Sequence, residues 1–422
     1  MLDTLWSDWA EVRVLLAIGS ATGADPIFTL DDPTYGQLDY GALGSPLAPY
    51  IDVTCDVRSL DWQFGATRTD GVLTRWEAGS AVVVLGNNEG TYDVGTDGAT
   101  LRPTIGVLIQ ARNVGDTAWQ PMFTGNANAF VQAYDPATLD CTVTVTATDG
   151  TALLASYQAQ PVAPLVGAGE TSAARVGRIL DNAEWSAARD IPAGGRALAA
   201  TDLSGDAWSQ LLAVSDAELG AVYIAPSGAA TFRTRETVFN ALTSGAAPVV
   251  SWGPSATRYE DVTIAVDDAL LRNIIDAQRP GGAVQSVRDT ASVQQYLPHR
   301  YSNTTLVLAA DVDVQSWASL VLNTLGVPFA RVDALTVLPR ADAAHLFPIV
   351  IAAAYLDRWH VEVDPPGPLS ESIERDVIVR GWKISVDRED WTAVYQLSST
   401  NAFTPFVLDD PDTQLDVARL VS

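Results

Sequence analysis

The middle of the chain carries apolar residues at the spacing of α-helices. Thr171 or Ser172 precedes a first segment and Ser204 or Asp206 a second, as N-cap residues do, and Gly220 follows the second. In each segment the apolar side chains fall on one helical face: Val176, Ile179, Leu180 and Ala183 in the first, and Trp208, Leu211, Leu212 and Leu219 in the second. The pattern predicts two helices.

A β-hairpin is predicted directly after the second helix. Residues 221–224 (Ala-Val-Tyr-Ile) and 231–233 (Thr-Phe-Arg) are rich in β-branched and aromatic side chains, and the turn residues 225–228 separate them. Residues 171–235 are therefore predicted to form a compact helix–helix–hairpin unit. Longer segments that read mainly as β lie on both sides of it.

Before this unit, alternation of apolar and polar residues predicts an antiparallel β domain. Ile51, Val53 and Cys55 alternate with polar residues, as in a half-buried strand. Further strands are predicted over residues 11–20, 73–76, 80–85, 104–112, 118–123, 129–134 and 141–147, with turns at 86–88, 95–98 and 135–136. About six to eight short strands at this spacing are typical of a closed or nearly closed barrel, or of a sandwich.

After the unit, strands are again predicted, with two helices among them. Asp313 is expected to cap a helix that carries Trp317 and Val321 on one face and ends at Gly326. A second helix is expected over 342–354, where Pro348 interrupts the pattern. The strands are predicted over residues 262–266, 273–278, 282–288, 332–338, 359–363, 376–384 and 391–397.

A chain of 422 residues is too long for one ordinary hydrophobic core, so we expect several domains. The stretch 157–169 lacks periodicity and is interpreted as a linker, and 241–253 as a second linker or an extended crossing. The fold class is predicted as β-rich α+β. The predicted domains are a first β domain at 1–160, a small α/β domain at 170–240, a second β-rich domain with inserted helices at 250–400, and a C-terminal extension at 401–422; the resemblance described below implies that both β domains are β-barrels.

The charge of the chain changes the range of functions to consider. Acidic residues number 51 and basic residues 25, a net charge of −26, and Lys383 is the one lysine. Tight binding of nucleic acid or of anionic lipid needs the opposite sign. The apolar run 14–18 follows acidic residues rather than the basic ones of a signal peptide, and no run approaches the ~20 residues of a spanning helix. Cys55 and Cys141 are expected to be buried free thiols, with a disulfide between them as the alternative.

A short motif occurs near both ends of the chain. Residues 28–39 and 406–416 both contain Phe-x-Leu-Asp-Asp-Pro followed by Gln-Leu-Asp. Similar Asp-Pro turns would explain this, and so would one local loop structure used twice. The motif is too short to indicate duplication of whole domains.

Candidate metal ligands are few. His360, Glu362 and Asp364 alternate along a predicted strand and would share one face, but polar residues on one strand face are common without metal. His299 and His345 have no partner at ligand spacing. The acidic pairs Asp311/Asp313, Asp31/Asp32 and Asp409/Asp410 are better explained by a helix start and by turns than by metal binding. No metal site and no cofactor are therefore predicted.

The sequence also lacks the common catalytic signatures. It contains no G-x-S-x-G elbow, P-loop, G-x-G-x-x-G after a strand, or HExxH. Nothing selects a pair of carboxylates for glycoside hydrolysis. The 12 tryptophans could include a sugar-stacking surface, although Trp208 and Trp317 fall in apolar periodic stretches and are expected in the core. We therefore expect no catalytic residues and a protein that is not an enzyme.

Three stretches together resemble the tail hub proteins, or minor tail proteins, of long-tailed bacteriophages. The first is the helix–helix–hairpin unit, the second is the region after it, and the third is the Leu-Asp-Asp-Pro loop. They comprise residues 175–192, 207–212, 218–224 and 228–235, then 271–273, 279–282 and 292–296, then 28–39.

The resemblance implies a fold and an assembly. Such hubs are similar to the baseplate hub of T-even phages: they are trimers in which each subunit carries two tail-tube-like β-barrels, so that six barrels match a hexameric tail tube. It therefore implies a structural siphovirus virion protein at the tail tip, assembled in the bacterial cytoplasm. The expected partners are its own copies, the distal tail protein, the tape measure protein and other tail-tip proteins, with phage DNA passing through without tight binding.

Two alternatives remain open at this stage. One is a carbohydrate-binding or carbohydrate-cleaving β protein, and the other is the hexameric distal tail adaptor. Within the hub hypothesis, three copies would carry a charge of −78, three times the −26 of one chain, and part of it would line the channel and repel DNA. Acidic residues on the outer face, kept for solubility, would explain the same charge.

Overall fold

The computed structural model describes residues 9–18, 50–65, 69–70, 73–74, 76–94, 101–243, 247–367, 371–387 and 390–400. Both copies of the Leu-Asp-Asp-Pro motif, the turn at 95–98 and the predicted C-terminal extension lie outside these residues. The strands of the N-terminal part (residues 9–148) are β1 (Ala10–Leu16), β2 (Ile51–Asp52), β3 (Val57–Gly65), β4 (Thr69–Asp70), β5 (Leu73–Thr74), β6 (Ser80–Gly86), β7 (Gly106–Asn113), β8 (Gln120–Asp135) and β9 (Asp140–Thr148).

The prediction of a strand through Cys55 was wrong. The strand stops at Asp52, whose carboxylate accepts the backbone N–H of Thr54 at 3.0 Å and turns the chain into a one-turn 3-10 helix, Thr54–Asp56. The long strand β3 then follows, and it was not predicted. The two strands expected at 118–123 and 129–134 form one strand, β8.

The middle part (residues 151–243) contains the predicted helix–helix–hairpin unit. Thr171 caps α2 by accepting the N–H of Ala174, and Asp206 caps α3 by accepting the N–H of Ser209, as the sequence indicated. The stretch after 241 was predicted as a linker or an extended crossing, yet a helix runs to residue 243 and a strand follows at 250. The elements are α1 (Thr151–Ser156), β10 (Gln158–Ala159), α2 (Ser172–Asn182), β11 (Arg189–Asp190), β12 (Gly205–Asp206), α3 (Ala207–Glu218), β13 (Ala221–Ile224), β14 (Ala230–Arg233) and α4 (Arg235–Thr243).

The C-terminal part (residues 247–400) has the predicted strands and three unpredicted elements, β15, α5 and β19. Asp313 does not cap its helix: α6 begins two residues earlier, so Asp313 lies in its first turn. The elements are β15 (Val250–Trp252), β16 (Asp261–Ala265), β17 (Ile274–Ala277), β18 (Gln285–Arg288), α5 (Thr290–Tyr296), β19 (Arg300–Asn303), α6 (Asp311–Leu325), β20 (Arg331–Val337), α7 (Ala343–Ala352, after a 3-10 turn at Pro339–Asp342), β21 (Arg358–Val363), β22 (Ile373–Asp387) and β23 (Trp391–Ser399).

Strands of the two outer parts join in one 13-stranded sheet within the described residues. The N-terminal part contributes the order β1-β7-β8-β9-β6-β3, and the C-terminal part the order β15-β21-β22-β23-β20-β16. If the six strands of each set are numbered by their position along the chain, the two sets show these numbers in the same order across the sheet. One difference is that β1 pairs antiparallel with β7 whereas β15 pairs parallel with β21.

The described residues form two hydrophobic cores. One is built from the inward faces of the large sheet and includes Trp62, Trp359 and Trp391. The other joins α2 and α3 of the middle part to α6 and β17, and Trp317 is buried in it. The middle part thus packs on residues 275–325. The predicted domain boundaries themselves stay predictions.

Candidate interaction surfaces

The two outer parts are joined by one strand pair, β3 with β22. They run antiparallel, with Gly65 opposite Gly381 and Ser59 opposite Asp387. At Gly65 the backbone has φ of +95°, and a Cβ there would collide with the carbonyl oxygen of Arg380. Only glycine tolerates both this conformation and this close approach. The junction therefore depends on a glycine at position 65.

An aromatic cluster fills the space behind this strand pair. The rings of Phe64 and Trp382 lie tilted to each other with centroids 4.5 Å apart, and Trp76 lies 4.8 Å from Tyr223 and 4.7 Å from Tyr355. These rings come from the N-terminal part, the middle hairpin and the C-terminal part. Aromatic pairs at such distances contribute beyond the area they bury. The cluster therefore fixes the three parts relative to one another.

Arg380 lies buried beside the cluster, with 1% of its surface exposed. It occupies a β-bulge between Val379 and Gly381, and its guanidinium donates to the hydroxyl of Tyr355 at 3.0 Å. Its Nε and one terminal nitrogen have no hydrogen-bond partner in the described part of the chain. Sequence reasoning missed this residue. A single charge inside the apolar run 377–382, followed by glycine, was the signal for a bulge.

Two buried charged groups hold the loops of the middle part. Arg175 donates to Glu170 at 2.7 Å, to Thr201 at 2.9 Å, and to the carbonyl oxygens of Gly167 and Ala199 at 2.8 and 3.0 Å. Each donor thus meets an acceptor, as burial of a charge requires. The arginine ties the segment before α2 to the segment before α3.

Glu218, at the end of α3, is the second of these groups. Its carboxylate accepts the hydroxyl of Ser172 at 2.7 Å and the backbone N–H groups of Arg196 and Arg235 at 2.7 and 3.0 Å. Burial raises its pKa, although these hydrogen bonds act in the opposite direction. The arrangement is typical of a structural carboxylate with all its acceptors used.

The predicted strand face His360, Glu362, Asp364 engages in other contacts. His360 Nδ1 lies 2.9 Å from Asp376, which also accepts from Arg358 at 2.6 Å. Burial alone would raise the pKa of Asp376, but the hydrogen bonds from Arg358 and His360 lower it. Among the described residues no three His, Cys, Asp or Glu side chains converge as metal ligands. Both cysteines are free thiols; Cys141 is buried, as expected, whereas Cys55 is exposed.

A cleft with a volume of about 650 Å³ lies between the N-terminal and middle parts. Tyr50, Tyr157 and Trp185 line it together with polar groups such as Asn126 and Glu184. No helix among the described residues is both long and apolar enough to cross a membrane.

No protein-family model matches this sequence, and no curated protein sequence matches it. Solved structures do match. The tail protein from Neisseria meningitidis MC58 aligns with a TM-score of 0.57 at 13% identity, covering 93% of this chain and 98% of its own. The 43 kDa tail protein of prophage MuSo2 from Shewanella oneidensis aligns with a TM-score of 0.55 at 13% identity, covering 84% and 96%. The predicted resemblance to phage tail proteins is confirmed at the level of the fold.

Proposed function

We propose that the chain is a structural protein of a phage tail and that three copies form the hub at the tail tip. The observation that carries this proposal is the sheet in which two six-stranded sets of the same order are joined, the edge strand β3 of one set pairing with the second half of β22 in the other. Each set would act as one tube-like barrel. Three copies would then supply six similar units, which is what a threefold tip needs to meet a hexameric tube.

The proposal assigns no catalytic role to the chain. Its partners would be the distal tail protein, the tape measure protein and other tail-tip proteins of a siphovirus, and part of its charge of −26 would face the DNA channel. A surface without basic clusters lets DNA pass because it gains nothing from counterion release. If lumen-facing acids serve this purpose, their replacement by arginine will slow DNA ejection, and normal ejection would contradict this part of the proposal.

Mass measurement of the purified chain tests the hub directly. We expect a trimer with an open centre in negative-stain images. A stable monomer with a closed centre would overturn the proposal, and a hexamer would favour the distal tail adaptor.

One observation favours carbohydrate binding as a second candidate. The 650 Å³ cleft carries three aromatic side chains beside amide and carboxylate groups, a combination that suits stacking and hydrogen bonding of a sugar. Titration with host-surface glycans, comparing the natural chain with Trp185→Ala, tests it. Binding that depends on Trp185 would support this candidate, and the absence of binding would remove it.

A further inference from the structure

The matching strand orders make β8 the counterpart of β22. Both are the fifth strand of their set, and they have 16 and 15 residues. Both carry a bulge where they pair with the last strand of the set, at Ala127/Ala129 in β8 and at Val379/Gly381 in β22. The bulge therefore places Ala129 in the position of Gly381.

Beyond the bulge, β22 has strand partners on both edges. Residues 381–387 pair with β23 on one side and with β3 on the other. The first half of β22, by contrast, pairs with β21 on that second side. The strand thus changes partner at the bulge, and its second half carries the junction between the N-terminal and C-terminal parts.

Beyond its own bulge, β8 has a partner on one edge alone within the described residues. Residues 129–135 pair with β9, whereas β7 pairs with β8 only as far as Asn126. The uncovered half is apolar and exposed: Val131 is 59% exposed and Tyr134 69%. Natural proteins seldom leave a long, apolar strand edge open, because it invites pairing with another chain.

The strand that would match β3 is β16. It is the second strand of its set, and within the described chain it pairs only with β20. Asp261 and Thr263 are exposed on it. Within the described residues, β16 and the second half of β8 each leave one edge unpaired, and these edges correspond to the two that the internal junction covers in the other set.

We propose that β8 of one copy pairs antiparallel with β16 of a second copy, as β22 pairs with β3 within the chain. The inference deepens the proposed hub, on which it rests, by naming the strands that close the ring. Because the edges differ, the contact is heterologous and can repeat around an axis. It would also cover Val131 and Tyr134.

The internal junction predicts the register. Ser385 lies opposite Asp61 there. Ala133 and Ser385 lie the same number of residues beyond their bulges, so Ala133 corresponds to Ser385. Following the cross-strand partners from the bulge through the set leads to Asp61 in the N-terminal set and to Thr263 in the C-terminal set, so Thr263 corresponds to Asp61. Ala133 of one copy should thus face Thr263 of the next.

The same register places two carboxylates together. Ser59 faces Asp387 in the internal junction, and the corresponding pair between copies is Asp261 with Asp135. Both are exposed, so salt screens their repulsion. Association should therefore strengthen with added salt and with Asp261→Asn.

Disulfide trapping tests the pairing. In the full-length chain carrying Cys55→Ser, an equal mixture of the single variants Ala133→Cys and Thr263→Cys is oxidised and run on a non-reducing gel. We expect covalent dimers in the mixture and none in either variant alone. The matched control replaces Thr263→Cys by Thr392→Cys, which lies on β23 inside the sheet and should give no dimer.

The outcomes separate this inference from the hub itself. An oligomer by mass that gives no dimer in the mixture overturns the strand pairing and leaves the hub standing. A monomer at every concentration overturns both. Dimers of Ala133→Cys alone would indicate a symmetric contact and also overturn the pairing. As a second variant, Val131→Asp should weaken association at least tenfold with an unchanged circular dichroism spectrum, whereas Leu165→Asp, an exposed control, should leave it unaltered.

Discussion

The indole N–H of Trp317 donates a hydrogen bond to the backbone carbonyl oxygen of Asp216, at 2.7 Å. Trp317 belongs to α6 and Asp216 to the last turn of α3, so this bond joins the C-terminal part to the middle part. The sequence placed Trp317 in a core, and it is buried there. Its polar end has a separate role, which is to satisfy a carbonyl near a helix end.

The phenylalanine variant of Trp317 should measure that role. Trp317→Phe keeps an aromatic ring but removes this donor from the carbonyl of Asp216, which also accepts the N–H of Leu219 at 3.4 Å, so the lost hydrogen bond should cost about 0.5–1.5 kcal/mol of unfolding free energy. Trp317→Ala also leaves a cavity and should cost roughly 3–5 kcal/mol. Urea unfolding followed by circular dichroism gives both values. Equal losses in the two variants would contradict a separate contribution from the hydrogen bond.

Position 65 offers a test of the junction between the outer parts. Gly65→Ala adds a Cβ that collides with the backbone at Arg380, at a φ of +95°. Gly115 is a matched control, since its φ is +94° and a Cβ there meets nothing within 4 Å. Both alanine variants bear the cost of the left-handed backbone, about 1–2 kcal/mol.

Only Gly65→Ala also has to move strand β3 away from β22. We expect its loss of unfolding free energy to exceed that of Gly115→Ala by about 2 kcal/mol or more, as in other overpacked sites. Thermal and urea unfolding of the two variants decide this. Equal losses would mean that the junction yields without cost.

The middle part was predictable because its signals are local. The caps at Thr171 and Asp206, and apolar residues such as Ile179 and Leu211 at helical spacing, lie within the elements they define. Short-range hydrogen bonds and one buried face decide such elements. The same local logic failed at Asp52, where a side-chain hydrogen bond to Thr54 outcompetes a strand that the alternation favoured equally well.

The junction between β3 and β22 could not be predicted from local sequence patterns. The pairing of Gly65 with Gly381 joins residues 316 positions apart, and the periodicity of neither strand identifies its pairing partner. Arg380 is likewise interpretable only once the bulge and its close approach to Gly65 are known. A period-2 pattern shows which side chains of a strand face the core, but it does not show which strands pair with it. The order of the large sheet could therefore not be derived from the sequence.

Arg175 should be essential to the stability of the middle part. Arg175→Met fills similar volume but removes the buried guanidinium that donates to Glu170, Thr201 and two carbonyl oxygens, so we expect a loss of about 3–5 kcal/mol. The matched control is Arg178→Met, because Arg178 pairs with the same Glu170 while its side chain is 45% exposed. That variant should lose less than about 1 kcal/mol. Similar losses in urea unfolding would contradict the role given to Arg175.

The stability of the chain should depend on pH through Asp149. Its buried carboxylate accepts the N–H groups of Gly79 and Thr151 at 2.8 and 2.9 Å, and burial raises its pKa to about 7. Because the folded-state pKa exceeds the unfolded value of about 3.9, the folded chain binds the proton more tightly, and this contribution falls as the pH rises toward 7. Asp149→Asn lacks this titrating group. The unfolding free energy of the natural chain, relative to that of this variant, should therefore fall by about 2–3 kcal/mol from pH 5 to pH 7. Urea unfolding across this range tests the sign, and a difference between the natural chain and Asp149→Asn that stays constant with pH would contradict the raised pKa.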